Sequence, residues 1–285
     1  MTARPRSTNG WLRAGSSAPG DRGHAVQELW GDGVSLRLQG PVAVITIDNP
    51  PHNHVSPAMM AALADCLAAA DAESQVRVTL LTSAGKSFCA GADFTGGGRS
   101  ADDDMTQASR LYGEAARIIR LRKPIVAAIQ GAAIGAGLGL ALLCDFRIAS
   151  TEARFAANFV KLSFHPGLGL TYSLPRAVGA QRASLMLLTG RRLKPEEALH
   201  WGLIDGLAQP DALFDHGLGV AMEIAGNGPL GVTATRQTIR ADLVAGFEGS
   251  IATELAAQRL LRVSDDFEEG VRAVADRRHG NFTGR

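Results

Sequence analysis

The chain has 285 residues, 46% of them hydrophobic, and 29 Lys plus Arg stand against 28 Asp plus Glu. That length and apolar content support a sizeable core in one large domain or two, and a net charge of +1 excludes the broad basic surface that nucleic acid or an anionic membrane would need. No apolar run reaches the roughly 18 residues of a membrane span, no secretory h-region opens the chain, and Cys66, Cys89 and Cys144 form no CxxC pair, which fits buried thiols in a cytoplasmic protein.

Residues 1–32 are rich in Arg, Ser, Gly and Pro without periodicity and read as a tail outside the fold. From Val34 the text turns strand-like: "VSLRLQG" alternates, "PVAVITID" is a β-branched run, and "NPPHN" is a turn. A helix follows in "SPAMMAALADCLAAADAE", with Ser56 as N-cap and Pro57 at the first helical position. "VRVTLLTS" reads as a buried strand, "AGKSFCAGADF" as a loop, and Gln107 to Arg122 as a second helix, with the run Asp102, Asp103, Asp104 before it in a solvated loop. "KPIVAAIQG" is another buried strand leading into the glycine-rich "GAAIGAGLGLALLCD". Short strands in "CDFRIAS" and "ARFAAN", a helix near Tyr172 to Val178, and a helix and turn in "RLKPEEALHWGLID" come next. Strand and helix in alternation argue for an α/β core over 33–210, and helical spacing dominates 211–285.

Several familiar sites are excluded by spacing. Gly85-Lys86-Ser87 lacks the first glycine of a phosphate-binding loop, whose place is held by Leu80. Gly135-x-Gly137 is followed by Leu140 where a dinucleotide fingerprint needs glycine. No GxSxG elbow occurs, and His52-Asn53-His54 has no third partner at metal-site spacing, so no metal is expected. The glycines instead let backbone approach a ligand, and the first amides of the helix after them lack partners. Ala90-Gly91, also after a buried strand, offers a second uncovered amide, so that two loops converging on one point would form an oxyanion hole.

"NPPHN", "VTLLTSAGKSFCAGADF", "KPIVAAIQGAAIGAGLGLALLCDFRIASTEARFA", "GLGLTYSLPRAVGAQRASLMLLTGRRLKPEEALHWGLID" and "VADRRHGNF" together resemble the crotonase superfamily of enoyl-CoA hydratases and isomerases, over residues 34 to 283. The resemblance implies a ββα spiral core with a C-terminal helical region that forms trimers or dimers of trimers. It implies an acyl-CoA thioester as substrate, with CoA part of the substrate and no tightly bound cofactor. The thioester oxygen would lie between the amides matching Ala90 and Ala136, bordered by Gly91, Ala92, Asp93, Gly135 and Gly137, and Phe282, with Arg277, Arg278 and His279, would reach CoA.

Hydratases of the family hold water with two glutamates, and the matching positions here are Gly139 and Phe159, so the resemblance implies open space at one and an apolar wall at the other. The aspartate with which related dehalogenases attack falls near Gly167, again without a carboxylate. His165, in "LSFHPGLG", is the expected proton-transfer residue, against a turn histidine bonded to backbone; His54, Asp93 and the Asp102–Asp104 run are weaker candidates. Asp145 is expected to be structural, and Trp201 and Tyr172 to be core or subunit contacts. The expected function is therefore enolate chemistry on an acyl-CoA, by isomerisation, decarboxylation or C–C cleavage. The alternatives are a non-catalytic acyl-CoA-binding scaffold and a CoA-independent diketone hydrolase.

Overall fold

The computed structural model of the chain describes residues 28–92 and 100–285. Strand β1 (Glu28–Gly31) pairs antiparallel with β2 (Val34–Gln39), so the fold begins inside the stretch read as tail. β2 pairs in turn with β3 (Val42–Ile47), and Gly40 takes the positive φ of 57° at the turn between them. Helix α1 (Pro57–Ala72) starts as expected: the Ser56 hydroxyl accepts the Met59 N–H at 3.1 Å, and Pro57 opens the helix. β4 (Val78–Ser83) follows, and then β5 (Ser87–Cys89), three residues of strand within the segment read as loop.

Helix α2 (Ala101–Ile119) begins six residues before its expected start at Gln107. Its capping box explains the difference: Ser100 Oγ accepts the Asp103 N–H at 3.1 Å while the Asp103 carboxylate reaches back to the Ser100 amide. The three aspartates thus form the first helical turn, where the macrodipole favours negative charge, and not a solvated loop. β6 (Ile125–Ile129), β7 (Ala132–Ile134), helix α3 (Ala136–Leu143), β8 (Phe146–Ser150) and β9 (Arg154–Ala156) come next, then a 3-10 turn at Phe159–Leu162. α4 (Leu170–Val178) leads through Gly179 to α5 (Ala180–Thr189), a helix that the sequence pattern did not reveal. β10 (Arg192–Leu193), α6 (Pro195–Trp201), β11 (Gly206–Ala208), α7 (Leu213–Ala225), the 33-residue α8 (Pro229–Leu261) and α9 (Asp265–Ala275) complete the described chain.

The main sheet has seven strands in the order β1-β2-β3-β4-β6-β8-β11, parallel from β3 onward. A four-stranded sheet, β10-β9-β7-β5, stands beside it. The runs in β3, β4 and β6 are mostly apolar, broken by Thr46, Thr79, Thr82 and Ser83, because both faces of the sheet are covered. Ala43, Ile45 and Ile47 belong to the larger core with α1, whereas Val42, Val44, Leu80 and Val126 pack with Leu213, Ala221 and Ala225 of α7. α7 therefore backs the sheet, although it lies in the region read as a separate C-terminal set of helices. None of the described helices is long and apolar enough to cross a membrane.

Candidate active site

The loop after β5 and the start of α3 fit together through glycines. A Cβ on Gly137 would collide with the Cys89 carbonyl, one on Gly131 with the Lys86 carbonyl, and one on Gly91, at φ +104°, would stand 3.1 Å from the Ile134 oxygen. These contacts fix the two segments side by side in a way that any side chain would prevent. Gly135, at φ +55°, starts α3 with no side-chain cap, so the Ala136 N–H, first in the helix, has no partner among the described residues.

The second donor is not at Ala90. The Ala90 N–H donates to the His52 carbonyl at 3.1 Å and is committed to the fold. The Gly91 carbonyl accepts the Val55 N–H at 2.9 Å, and Val55 forms an isolated parallel bridge with Ala92. In a parallel bridge the residue opposite turns its own N–H to the other edge. The free amide of this loop is accordingly that of Ala92, which the sequence had placed beside the hole and not in it.

A cavity of about 740 Å³ surrounds both amides and is lined by Ala90, Gly91, Ala92, Gly135, Ala136 and Phe159. His52, His54 and Ser56 border it from the turn before α1; Leu111, Tyr112, Leu162, Phe164 and Val271 supply further walls. Its polar part includes Asp104 and Arg262, whose Nε and Nη2 both donate to Asp104 Oδ2, at 2.9 and 2.6 Å. Tyr112 donates to Gln258 Oε1 at 3.0 Å, and Gln258 Nε2 donates to the carbonyls of His165, at 3.0 Å, and Pro166, at 3.4 Å. Burial pushes the Tyr112 phenol above its ordinary value, so it stays neutral. Burial likewise raises the Cys89 thiol, next to the hole, to about 12, which leaves no thiolate for nucleophilic work near neutrality.

Several expected site residues lie elsewhere. Gly139 opens no space: a Cβ there would stand 2.7 Å from Leu168 Cδ2 and 2.9 Å from Leu168 Cβ, and Leu168 is fully buried at φ +59°. The position of the first hydratase glutamate is thus filled by a leucine from the following loop. Gly137 serves packing against Cys89 and is not part of the cavity lining. At Gly167 the space for a side chain is taken by the Tyr112 hydroxyl. His165 is also absent from the lining; its Nδ1 lies 2.7 Å from the Pro166 carbonyl, the backbone-bound turn histidine of the alternative reading. Phe282 is 43% exposed and outside the cavity, and Asp93 lies outside the described residues. Phe159 does form an apolar wall, its ring 3.6 Å from where a Cβ on Gly135 would be.

The surroundings hold these parts in place. Asp145, at the end of α3, accepts Arg236 Nε and Arg240 Nη1, each at 2.9 Å, and the Ile125 N–H at 2.8 Å, a structural role as expected. Glu254 accepts the amides of Gly169 and Thr171 at 2.7 and 2.9 Å and the Thr171 hydroxyl at 2.6 Å; burial raises its carboxyl while these donors act against the rise. The Tyr172 hydroxyl donates to the Asp242 carbonyl at 3.1 Å, and the Arg182 and Arg191 guanidiniums lie over the Trp201 ring. Sequence reasoning missed Tyr112, Gln258 and the Asp104–Arg262 pair. The one signal for them was polar residues at helical spacing on a buried face of α8, where Arg236, Arg240, Glu254 and Gln258 are buried beside Phe247.

The model of the enoyl-CoA hydratase/isomerase family matches residues 37–285. The chain belongs to this family. Relatives within or near it include (E)-benzylidenesuccinyl-CoA hydratase of Thauera aromatica, 37% identical over 88% of this chain and 99% of that protein. Another is 1,2-epoxyphenylacetyl-CoA isomerase of Escherichia coli (strain K12), 34% identical over 86% of this chain and 95% of its own. Among solved structures, an enoyl-CoA hydratase/isomerase from Pseudoalteromonas atlantica T6c superposes with a TM-score of 0.80 at 30% identity, covering 88% of this chain and all of that one (100%). A carnitinyl-CoA dehydratase from Mycobacterium avium 104 gives 0.78 at 32% identity, with 90% and 100% covered. The α/β crotonase fold follows from these likenesses, and membership makes the protein an acyl-CoA enzyme of the hydratase/isomerase family.

Proposed function

We propose that the protein forms an enolate from an acyl-CoA thioester and uses it for isomerisation, decarboxylation or C–C cleavage. The thioester oxygen is received by the Ala92 and Ala136 amides. When the α-carbon loses a proton, the C–H electrons enter the C–C bond and the carbonyl oxygen gains the negative charge that these preorganised donors stabilise. The observation that carries this reading is the pairing of an interlocked amide site with the absence of carboxylates at 139 and 159, where Leu168 and Phe159 fill the space. Two fixed glutamates holding water is not a mechanism that these residues offer.

The acyl group is an aryl one in this reading. Phe159, Phe164 and Tyr112 line the cavity, and the names of two relatives describe benzylidene and phenylacetyl thioesters. The hydratase among them supports a second reading, addition of water held by groups other than two glutamates. A homotrimer, or a pair of trimers, belongs to the same proposal, supported by Leu188, Leu230 and Ile239 at 76%, 84% and 68% exposure; sedimentation velocity checks it. The function is tested by incubating the protein with aryl and alkyl acyl-CoAs in deuterated water and following mass and products. Deuterium at the α-carbon is the expected result. Binding of the esters with neither exchange nor turnover would refute enolate chemistry and leave a binding protein.

A further inference from the structure

We propose that His54 carries the proton in this site, with Nε2 as the base that takes it from the substrate carbon next to the thioester. The proposal rests on reading the cavity as an acyl-CoA site. Among the described residues lining the cavity, the side chains with a lone pair that can serve as a base are those of His52, His54 and Asp104. Asp104 is held by two N–H groups of Arg262, and His52 is exposed to solvent. The Tyr112 hydroxyl donates its hydrogen bond to Gln258 Oε1 and keeps its proton, and His165 has turned to the Pro166 carbonyl.

The tautomer of His54 follows from its partner. Nδ1 lies 3.2 Å from the Gly91 carbonyl oxygen. A carbonyl only accepts, so in the neutral ring the hydrogen sits on Nδ1 and the lone pair on Nε2. Nε2 has no partner among the described residues. The ring is thereby oriented by the loop that supplies the Ala92 amide, which ties base and oxyanion donor to a single piece of backbone.

The turn that carries His54 is fixed from below. Asn53 is 3% exposed; its Nδ2 donates to the carbonyls of Ala84 and Ser87 at 2.8 and 2.7 Å, and its Oδ1 accepts the Asn49 N–H at 2.8 Å. Asn49 Nδ2 donates to the His54 carbonyl at 2.9 Å. The His52 ring meets that of His54 edge-on, with centroids 5.8 Å apart. Such anchoring reduces the reorganisation that proton transfer would otherwise need. In the step itself Nε2 takes the proton, the C–H electron pair forms the enolate, and the imidazolium then returns the proton to the same carbon or to another along the conjugated chain. No further reactant is consumed.

The test compares His54→Ala, His54→Gln and His165→Ala in the full-length protein, each checked for folding by circular dichroism. Deuterium exchange is measured at saturating aryl acyl-CoA, and ester affinity separately by calorimetry. Loss of a general base predicts an exchange rate about a hundredfold or more lower in both His54 variants, with affinity within about threefold of the unsubstituted protein. Added imidazole restores exchange in His54→Ala, where it has room, and not in His54→Gln; His165→Ala keeps its rate. A His54→Ala protein that exchanges normally at saturation but binds the ester weakly would overturn the proposal and make His54 a binding residue. Collapse in His165→Ala alone would overturn it too. Absence of exchange in the unsubstituted protein would instead remove the enolate reading and His54's role with it.

Discussion

Replacing Ala136 with proline removes one oxyanion donor while leaving most of the fold alone. Ala136 is the first residue of α3, where proline's fixed φ suits the helix and its missing N–H breaks no helical bond. Gly135 before it, at φ 55° and ψ −117°, lies outside the α region that a following proline disfavours. The ring carbon on nitrogen takes the place of the amide hydrogen, so both the donor and the space for the oxygen are lost. One such donor is worth about 2.7–4 kcal/mol in the transition state, so exchange at the α-carbon should fall by roughly a hundred- to a thousandfold. The melting temperature should drop by no more than about 4 °C, the equivalent of about 1 kcal/mol in a domain of this size. Ala136→Gly keeps the amide and should retain its rate within about threefold, separating the donor from the side chain. A folded Ala136→Pro protein exchanging at the unsubstituted rate would show that this amide holds no developing charge, and the assignment of the hole would fall.

The contact between Gly139 and Leu168 predicts that Gly139→Ala is destabilised by about 1–3 kcal/mol through overpacking, less the helix propensity gained, of up to about 1 kcal/mol. Combining it with Leu168→Ala should cost less than the sum of the single changes in urea titrations, and strict additivity would rule the contact out. Gly139→Glu alone should fail to confer hydration, tested on an enoyl-CoA by loss of the conjugated thioester absorbance. Arg262→Met, which removes both guanidinium donors from Asp104 at 17% side-chain exposure, should destabilise by about 1–3 kcal/mol and weaken acyl-CoA binding, whereas an unchanged melt would make the pair a marginal surface contact. The segment after α9 should loosen in acid: Arg278 holds Glu269 at about 2, and the Thr283 amide keeps Asp266 below its ordinary value. Because both carboxyls sit lower in the folded protein than in the unfolded chain, their contribution is present above the ordinary carboxylate range and disappears as pH falls through it toward about 2. Protection from hydrogen exchange at Asn281, Thr283 and Gly284, taken relative to the intrinsic rate at each pH, should fall over that interval and stay flat above it.

The parts of the fold written in local patterns were legible in the sequence. Ser56-Pro57 announced α1, the β-branched runs announced β3, β4 and β6, and the glycines announced a close approach of backbone at α3. The second donor was misplaced by two residues because the commitment of the Ala90 amide to His52 is a long-range bond that no local pattern encodes. Gly139 was misread for a related reason. Its neighbour Leu168 is 29 positions away and reaches it from a left-handed backbone conformation unusual for leucine. On paper His165 ranked above His54 as the base, and the direction of each ring, toward Pro166 or toward Gly91, is what reverses that order. α5 escaped notice because its exposed leucines, Leu185 and Leu188, blur the apolar stripe by which a helix is usually recognised.

The two donors of this site belong to the main chain, and that bears on how the protein tolerates mutation. A side-chain donor is lost to almost any substitution of its residue, whereas an amide survives every substitution but proline. Drift at positions 92 and 136 is therefore limited by room in the cavity and not by the identity of the residue. On the proposed reading, the groups that choose among reactions are side chains, at 54, 112 and 159 on the cavity wall, and these are open to replacement. If the protein works through an enolate as proposed, stabilisation of that enolate is inherited with the backbone, while its fate can be rewritten one side chain at a time.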